Sequence, residues 1–249
     1  MVTPILLEFG SLEIRYYGLL FALAFLIGYF IIKKLHKQFK ISEKDTEDFF
    51  LWALIGTVVG ARLFEVLFYD PKYYLSDPIK IFYVWEGGLA SHGAIISLVI
   101  LAYIFCKKRN LKFNQLTDLF IIPISLGAGF VRLGNFINGE LVGKITSVPW
   151  AVKFNNYPDL RHPVQLYQFF YYILIFIILF NLRKLKNKKD GLLFYSFLIL
   201  DSLFRFITEF FKDLPKDYGF FYLGLNLAQW FSILIFIVGL IGLYRTQKP

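Results

Sequence analysis

Apolar residues gather in seven long runs along this chain, separated by short polar segments in which lysine is frequent. The runs cover residues 17–32, 49–69, 89–106, 116–133, 164–182, 192–211 and 224–244. Each approaches the roughly 20 apolar residues that an α-helix needs to cross a bilayer. The pattern predicts an all-α polytopic membrane protein with about seven transmembrane helices, forming a single integral membrane domain over residues 1–249. The second and fourth runs depart most from plain hydrocarbon sequence, because each holds glycines and an arginine. No internal repeat is visible, so an inverted-repeat transporter has no direct support.

The charges between the runs set an orientation. Lys33, Lys34, Lys37, Lys40 and Lys44 follow the first run, Lys107, Lys108, Arg109 and Lys112 the third, and Arg183, Lys184, Lys186, Lys188 and Lys189 the fifth. With Arg245 and Lys248 after the last run, that side holds 16 basic residues. The other side holds 8: Arg15, Lys72, Lys80, Lys144, Lys153, Arg161, Lys212 and Lys216. The positive-inside rule then places the N-terminus outside and the C-terminus in the cytoplasm, with external loops capping whatever site lies at the outer face.

Composition agrees with a membrane protein. Charged residues make up 18% of the chain, against about 25% in soluble domains. The net charge of +9 sits in the connections, as cytoplasmic loops require, so no nucleic-acid partner is expected. The one cysteine, Cys106, permits no internal disulfide and has no metal-ligating neighbours in sequence. Residues 1–15 lack the basic cluster and small-residue site of a cleavable signal.

Polar residues inside the runs are not scattered. On the predicted orientation Arg62, Arg132 and Arg205 all fall toward the external leaflet, as do His92, Tyr16, Tyr17, Asn226 and Gln229. Asp118 and Asp201 are the exceptions. An ionisable group within a span costs roughly 2.5–3.5 kcal/mol on insertion scales, so several at one depth need a reason. Ion pairing within a helix is one: Glu65 follows Arg62 by three residues and Glu209 follows Arg205 by four. It leaves Arg132 without a carboxylate on its own span. A polar anion-binding cavity open to the outer leaflet accounts for the whole set. Arginine suits a phosphate because its planar fork donates two parallel hydrogen bonds and keeps its charge. Histidine is the side chain best suited to move a proton near neutral pH.

The stretch from Gly127 to Gly143, Gly-Ala-Gly-Phe-Val-Arg-Leu-Gly-Asn-Phe-Ile-Asn-Gly-Glu-Leu-Val-Gly, is the densest in such chemistry. It reads as the tail of an apolar helix passing into a loop, with Arg132 at the junction. Among the outer loops, residues 70–88 carry Tyr73, Tyr74, Tyr83 and Trp85, an interfacial aromatic group. Residues 135–163 form the longest connection and include a short strand over 148–154. His162 precedes Pro163 and is assigned a structural role at the entry to the next span.

The segment Arg132-Leu-Gly-Asn-Phe-Ile-Asn-Gly-Glu-Leu-Val-Gly143 resembles the signature of the bacterial prolipoprotein diacylglyceryl transferases. Similar matches occur at Arg15-Tyr-Tyr-Gly18, Gly60-Ala-Arg62, Trp85-Glu-Gly-Gly-Leu-Ala-Ser-His-Gly93, Arg161-His-Pro-Val-Gln-Leu-Tyr167 and Arg205-Phe-Ile-Thr-Glu-Phe-Phe211. They stand in family order and reach from the first run to the sixth. Departures occur at Gln168, at Leu63-Phe64-Glu65 and at Leu225-Asn-Leu-Ala-Gln229. The resemblance implies transfer of the diacylglyceryl group of phosphatidylglycerol to the lipobox cysteine thiol of a preprolipoprotein, releasing glycerol 1-phosphate, in the bacterial cytoplasmic membrane. It implies no metal and no cofactor. Carried over by match, the family's essential groups fall on Tyr17, His92, Arg132, Asn135, Glu140, Gly143, Arg205 and Glu209. Of these the catalytic candidates are Arg132 and Arg205, holding the phosphate, and His92, either as base toward the thiol or as a group that orients the headgroup. The substrate-binding set is Tyr17, Arg132, Asn135, Asn138, Glu140, Gly143 and Glu209. The alternative is a transporter or binding protein for an anionic lipid or organic anion. A transporter should expose polar residues through the bilayer, whereas the inner halves of these runs are mostly Leu, Ile and Phe. A retinal photoreceptor would need a lysine in the seventh run, which has none.

Overall fold

The computed structural model describes residues 4–9, 12–214 and 222–248. Lys216, counted above among the outer basic residues, lies outside them. The chain divides into two compact units, Met1–Ile31 with Phe120–Pro249, and Ile32–Leu119.

The first unit opens with an antiparallel hairpin, β1 (Ile5–Phe9) and β2 (Leu12–Arg15), that leads directly into α1 (Tyr16–Leu35). Helix α5 (Phe113–Asn138) enters it, and α6 (Val164–Leu182), α7 (Leu192–Glu209) and α8 (Leu227–Gln247) complete it, with α7 packed on both α6 and α8. The short strands β3 (Val152–Lys153) and β4 (Leu160–Arg161) pair between α5 and α6, where a strand is expected over 148–154. Its core includes Phe154, Val164, Ile175, Leu179 and Leu193.

The second unit holds α2 (Glu43–Phe64), a π-turn over Glu65–Tyr69, α3 (Pro71–Ser76) and α4 (Ser91–Arg109). Ser42 caps α2 by accepting from Asp45 N at 3.0 Å. Helices α2 and α4 pack along their lengths around Phe49, Phe105 and Cys106.

Six helices are long and apolar enough to cross a membrane among the described residues. Helix α7 occupies the remaining expected run. It spans 18 residues, about 27 Å at 1.5 Å per residue, but carries Asp201, Arg205 and Glu209. Large apolar side chains such as Phe30, Leu67, Phe68 and Phe170 stand on the outside, as hydrocarbon contact requires. The protein is a multi-pass membrane protein.

Several helices run past the expected bounds. The fourth run is expected over 116–133, whereas α5 starts at Phe113 and continues through Gly134 to Asn138. A mid-helix glycine costs about 1 kcal/mol against alanine, so it needs a reason. Here the reason is contact. A Cβ at position 134 would fall 2.6 Å from Tyr17 Cδ2, so glycine alone lets the α1 ring lie on the α5 backbone. Asn135 and Asn138 are therefore helical residues, where a loop is expected.

Gly134→Ala should cost about 1–3 kcal/mol through overpacking. Thermal melts in detergent should show a lowered Tm, and an unchanged Tm would mean that Tyr17 is not held against α5.

Candidate active site

The signature stretch ends α5 by a defined device. Gly139 adopts a left-handed conformation with φ 68°. Its N–H donates to Phe136 O at 3.1 Å, and Glu140 N–H donates to Asn135 O at 2.9 Å. These two bonds form a Schellman ending, which satisfies carbonyls that a helix end would leave bare. The turn also folds Glu140 back over the last turn of α5. Its carboxylate accepts from Asn135 Nδ2 and Asn138 Nδ2, each at 3.0 Å. Gln165, fully buried on α6, donates to the Glu140 backbone carbonyl.

With Nδ2 committed to Glu140, Asn135 presents Oδ1 as an acceptor, and Arg132 Nη1 donates to it at 3.4 Å. Asn135 is buried and Arg132 half-buried. Arg132 Nε has no hydrogen-bond partner among the described residues. The Asn-Gly-Glu sequence thus aims the arginine through an amide rather than neutralising it with a carboxylate. Tyr17 lies beside this group, its ring on Gly134 and its hydroxyl within electrostatic reach of Glu140 and Arg132.

The end of α7 supplies the second half. Glu209 is 4% exposed, accepts from Asn226 Nδ2 at 3.4 Å and faces Lys212 Nζ at 3.6 Å. Asn226 also caps α8 in a reciprocal capping box with Gln229. The one-turn pairing of Arg205 with Glu209 does not form. The helix stops at Glu209, and the chain turns so that Lys212 N–H returns to Glu209 O at 3.3 Å, bringing the lysine to the carboxylate first. The Arg205 guanidinium has no hydrogen-bonded carboxylate among the described residues. The charges of Arg132 and Arg205 are both felt at Lys212. Burial, together with those two arginines, lowers the Lys212 ammonium below the ordinary lysine range, while Glu209 opposes the shift.

Gly143 sits where two segments cross. Its N–H donates to His162 O at 3.0 Å, and a Cβ there would lie 2.5 Å from that same oxygen. Its carbonyl accepts from Arg161 Nη1 at 3.1 Å. Arg161 also pairs with Asp213 at 2.5 Å and lies 4.3 Å from the Tyr157 ring centre. His162 packs on Tyr167 and Phe211, with Nδ1 3.0 Å from the Tyr167 hydroxyl, in keeping with a structural role.

His92 belongs to the second unit, in the first turn of α4. Its Nδ1 lies 3.0 Å from the Tyr69 hydroxyl, and the π-turn Glu65–Tyr69 is what carries that tyrosine. Arg62, in the same unit, is buried and does not pair with Glu65. It donates to the Tyr74 hydroxyl at 2.6 Å, to Gly87 O at 2.9 Å, to Gly88 O at 3.0 Å and to Tyr83 O. It therefore pins the loop that precedes His92. Reading by sequence spacing alone treated Lys212 as a loop charge and did not single out Gln165. The signal for Gln165 was its place inside the motif Arg161–Tyr167, and for Lys212 its place just after Phe211.

A multi-pass helical membrane protein with a cationic cluster built on helix ends is the class these features define. Residues 4–245 match the family profile described as Prolipoprotein diacylglyceryl transferase. The chain belongs to the prolipoprotein diacylglyceryl transferase family. It is 40% identical over 248 residues to the phosphatidylglycerol–prolipoprotein diacylglyceryl transferase of Tolumonas auensis, covering 98% of this chain and 96% of that one. The protein of the same name from Chloroherpeton thalassium is 40% identical, covering 99% and 93%, and that from Bordetella parapertussis 38%, covering 100% and 97%.

Replacing Asn135 by aspartate removes the amide donor and sets a second carboxylate against Glu140. Asn135→Asp should lower Tm at pH 8, with the gap from the unsubstituted protein narrowing toward pH 5 as the carboxylate pair takes up a proton. A pH series of thermal melts checks this, and a gap independent of pH would contradict the hydrogen bond.

Proposed function

We propose that this protein transfers the diacylglyceryl group of phosphatidylglycerol to the lipobox cysteine thiol of preprolipoproteins, releasing glycerol 1-phosphate. The reaction runs at the outer leaflet of the bacterial cytoplasmic membrane, as the 16-to-8 asymmetry of basic residues supports. The observation that carries this reading is a pair of arginines, Arg132 and Arg205, without a bonded carboxylate among the described residues, in a chain related over nearly its full length to transferases of that name.

The chemistry is a displacement at the glycerol carbon that bears the phosphate. The cysteine thiolate forms the S–C bond, the C–O bond breaks, and the phosphate oxygen keeps the electron pair. Arg132 and Arg205 hold the phosphodiester and stabilise the charge that grows on the leaving phosphate. Asn135, Asn138 and Glu140 keep Arg132 aimed, Tyr17 and Glu209 bind the polar headgroup, and Gly143 keeps the crossing beside them close. His92 takes the role of base toward the thiol on its side-chain chemistry, with Tyr69 as its hydrogen-bond partner.

Incubation of the purified protein with phosphatidylglycerol and a lipobox peptide should give a thioether-linked lipid, detected by mass spectrometry. Absence of that product would overturn the reading. Arg132→Lys keeps the charge but loses the fork, and turnover should fall by about 100-fold or more while the protein still inserts. Near-normal turnover would reduce Arg132 to a point charge. Arg205→Gln should be inactive alone and equally inactive together with Glu209→Gln. Recovery of transfer in the double variant would make Arg205 structural.

A further inference from the structure

Lys212 stands at the junction of the two halves of the site. Its backbone forms a bridge with Gly143, and bonds on either side hold it there: Lys144 N–H to Phe211 O at 2.8 Å and Asp213 N–H to Val142 O at 3.1 Å. The residue is therefore tied to the segment that follows Glu140. Its side chain is only 21% exposed, and Nζ sits 3.6 Å from Glu209 Oε1, the long end of an ion pair. The charged groups around it are Glu209 and Arg205 from α7 and Arg132 from α5. The neighbouring Asp213 is taken by Arg161. A flexible cation on a fixed backbone, loosely paired beside two arginines, suits a charge that appears only during the reaction.

Such a charge exists in the proposed reaction, on which this inference rests. Phosphatidylglycerol enters as a phosphodiester with one negative charge. When the C–O bond breaks, the departing oxygen keeps the pair, and the monoester carries a second negative charge above its second pKa near 6. We propose that Lys212 is a further catalytic residue, whose ammonium leaves Glu209 to contact the departing phosphate oxygen and so favours the dianionic product over the monoanionic substrate. Glu209 holds the ammonium in readiness, while Asn226 keeps the carboxylate in place afterwards. Arginine at this position would stay charged throughout; a lysine buried here, with two arginines near it, loses its proton at lower pH than usual.

Two soluble probes separate the charge states: sn-glycerol 1-phosphate, a dianion at pH 8, and glycerophosphoglycerol, the deacylated diester monoanion. Binding of each to the full-length protein in detergent is measured by calorimetry, and transfer is assayed in parallel. Lys212→Gln should weaken dianion binding by about tenfold or more and diester binding by less than about threefold. Turnover should fall, with KM for phosphatidylglycerol little changed. Lys212→Arg should retain dianion binding and extend it to higher pH, because lysine is charged only below its lowered pKa and arginine is charged throughout. Equal weakening of both probes, or no weakening of either, overturns the proposal. So does an alkaline fall in dianion binding that is the same for lysine and arginine. A protein that binds the dianion through Lys212 yet transfers no lipid would sink the transferase reading and leave the dianion contact standing.

Discussion

A charged group inside a bilayer can be answered only by the protein around it, and this fold answers its arginines unequally. Arg62 meets one tyrosine hydroxyl and three backbone carbonyls, which occupies most of its five donors. It is spent on holding a loop. Arg132 has one long amide contact, and Arg205 has no bonded carboxylate among the described residues. Both terminal nitrogens of Arg62 are bonded, whereas Arg132 and Arg205 keep donors for a ligand, and that difference separates a scaffold arginine from the other two.

The carboxylates follow the complementary rule. Glu140 is satisfied by two asparagine amides, and Glu209 by an asparagine and a lysine. A direct arginine–carboxylate fork would have stabilised each charge, but it would have consumed the donors that a phosphate needs. Amides carry the orientation without cancelling the positive charge. The C-terminal ends of α5 and α7 contribute in the same direction, since the negative end of a helix favours nearby cations such as Arg132 and Lys212.

The packing that holds this arrangement is local and small in scale. Tyr17 lies on Gly134, so α1 and α5 approach closely where the site begins, as membrane helices commonly do through small residues. Gly139 then reverses the chain through a left-handed conformation, and Gly143 admits the backbone of His162. Each of the three glycines in the signature has a separate geometric task, and together they bring Glu140 and Lys212 toward the same ends of α5 and α7.

Helical class, multi-pass character and the motif residues Tyr17, Arg132, Asn135, Asn138 and Glu140 were legible in the amino-acid order. Hydrophobic runs, charge bias and turn-forming residues act over a few neighbouring positions. The end of α5 was not legible, because Gly134 answers to Tyr17, more than a hundred residues away in sequence. Nor were the partners of the arginines. The spacings of Arg62 with Glu65 and of Arg205 with Glu209 fit a helical ion pair, and neither pair forms. Tertiary structure decided those partners: carbonyls of a folded loop reach Arg62, and a turn just past α7 delivers Lys212 to Glu209. Which charge a buried carboxylate meets depends on where the chain turns after the helix, and residue type at the paired positions carries no record of that turn.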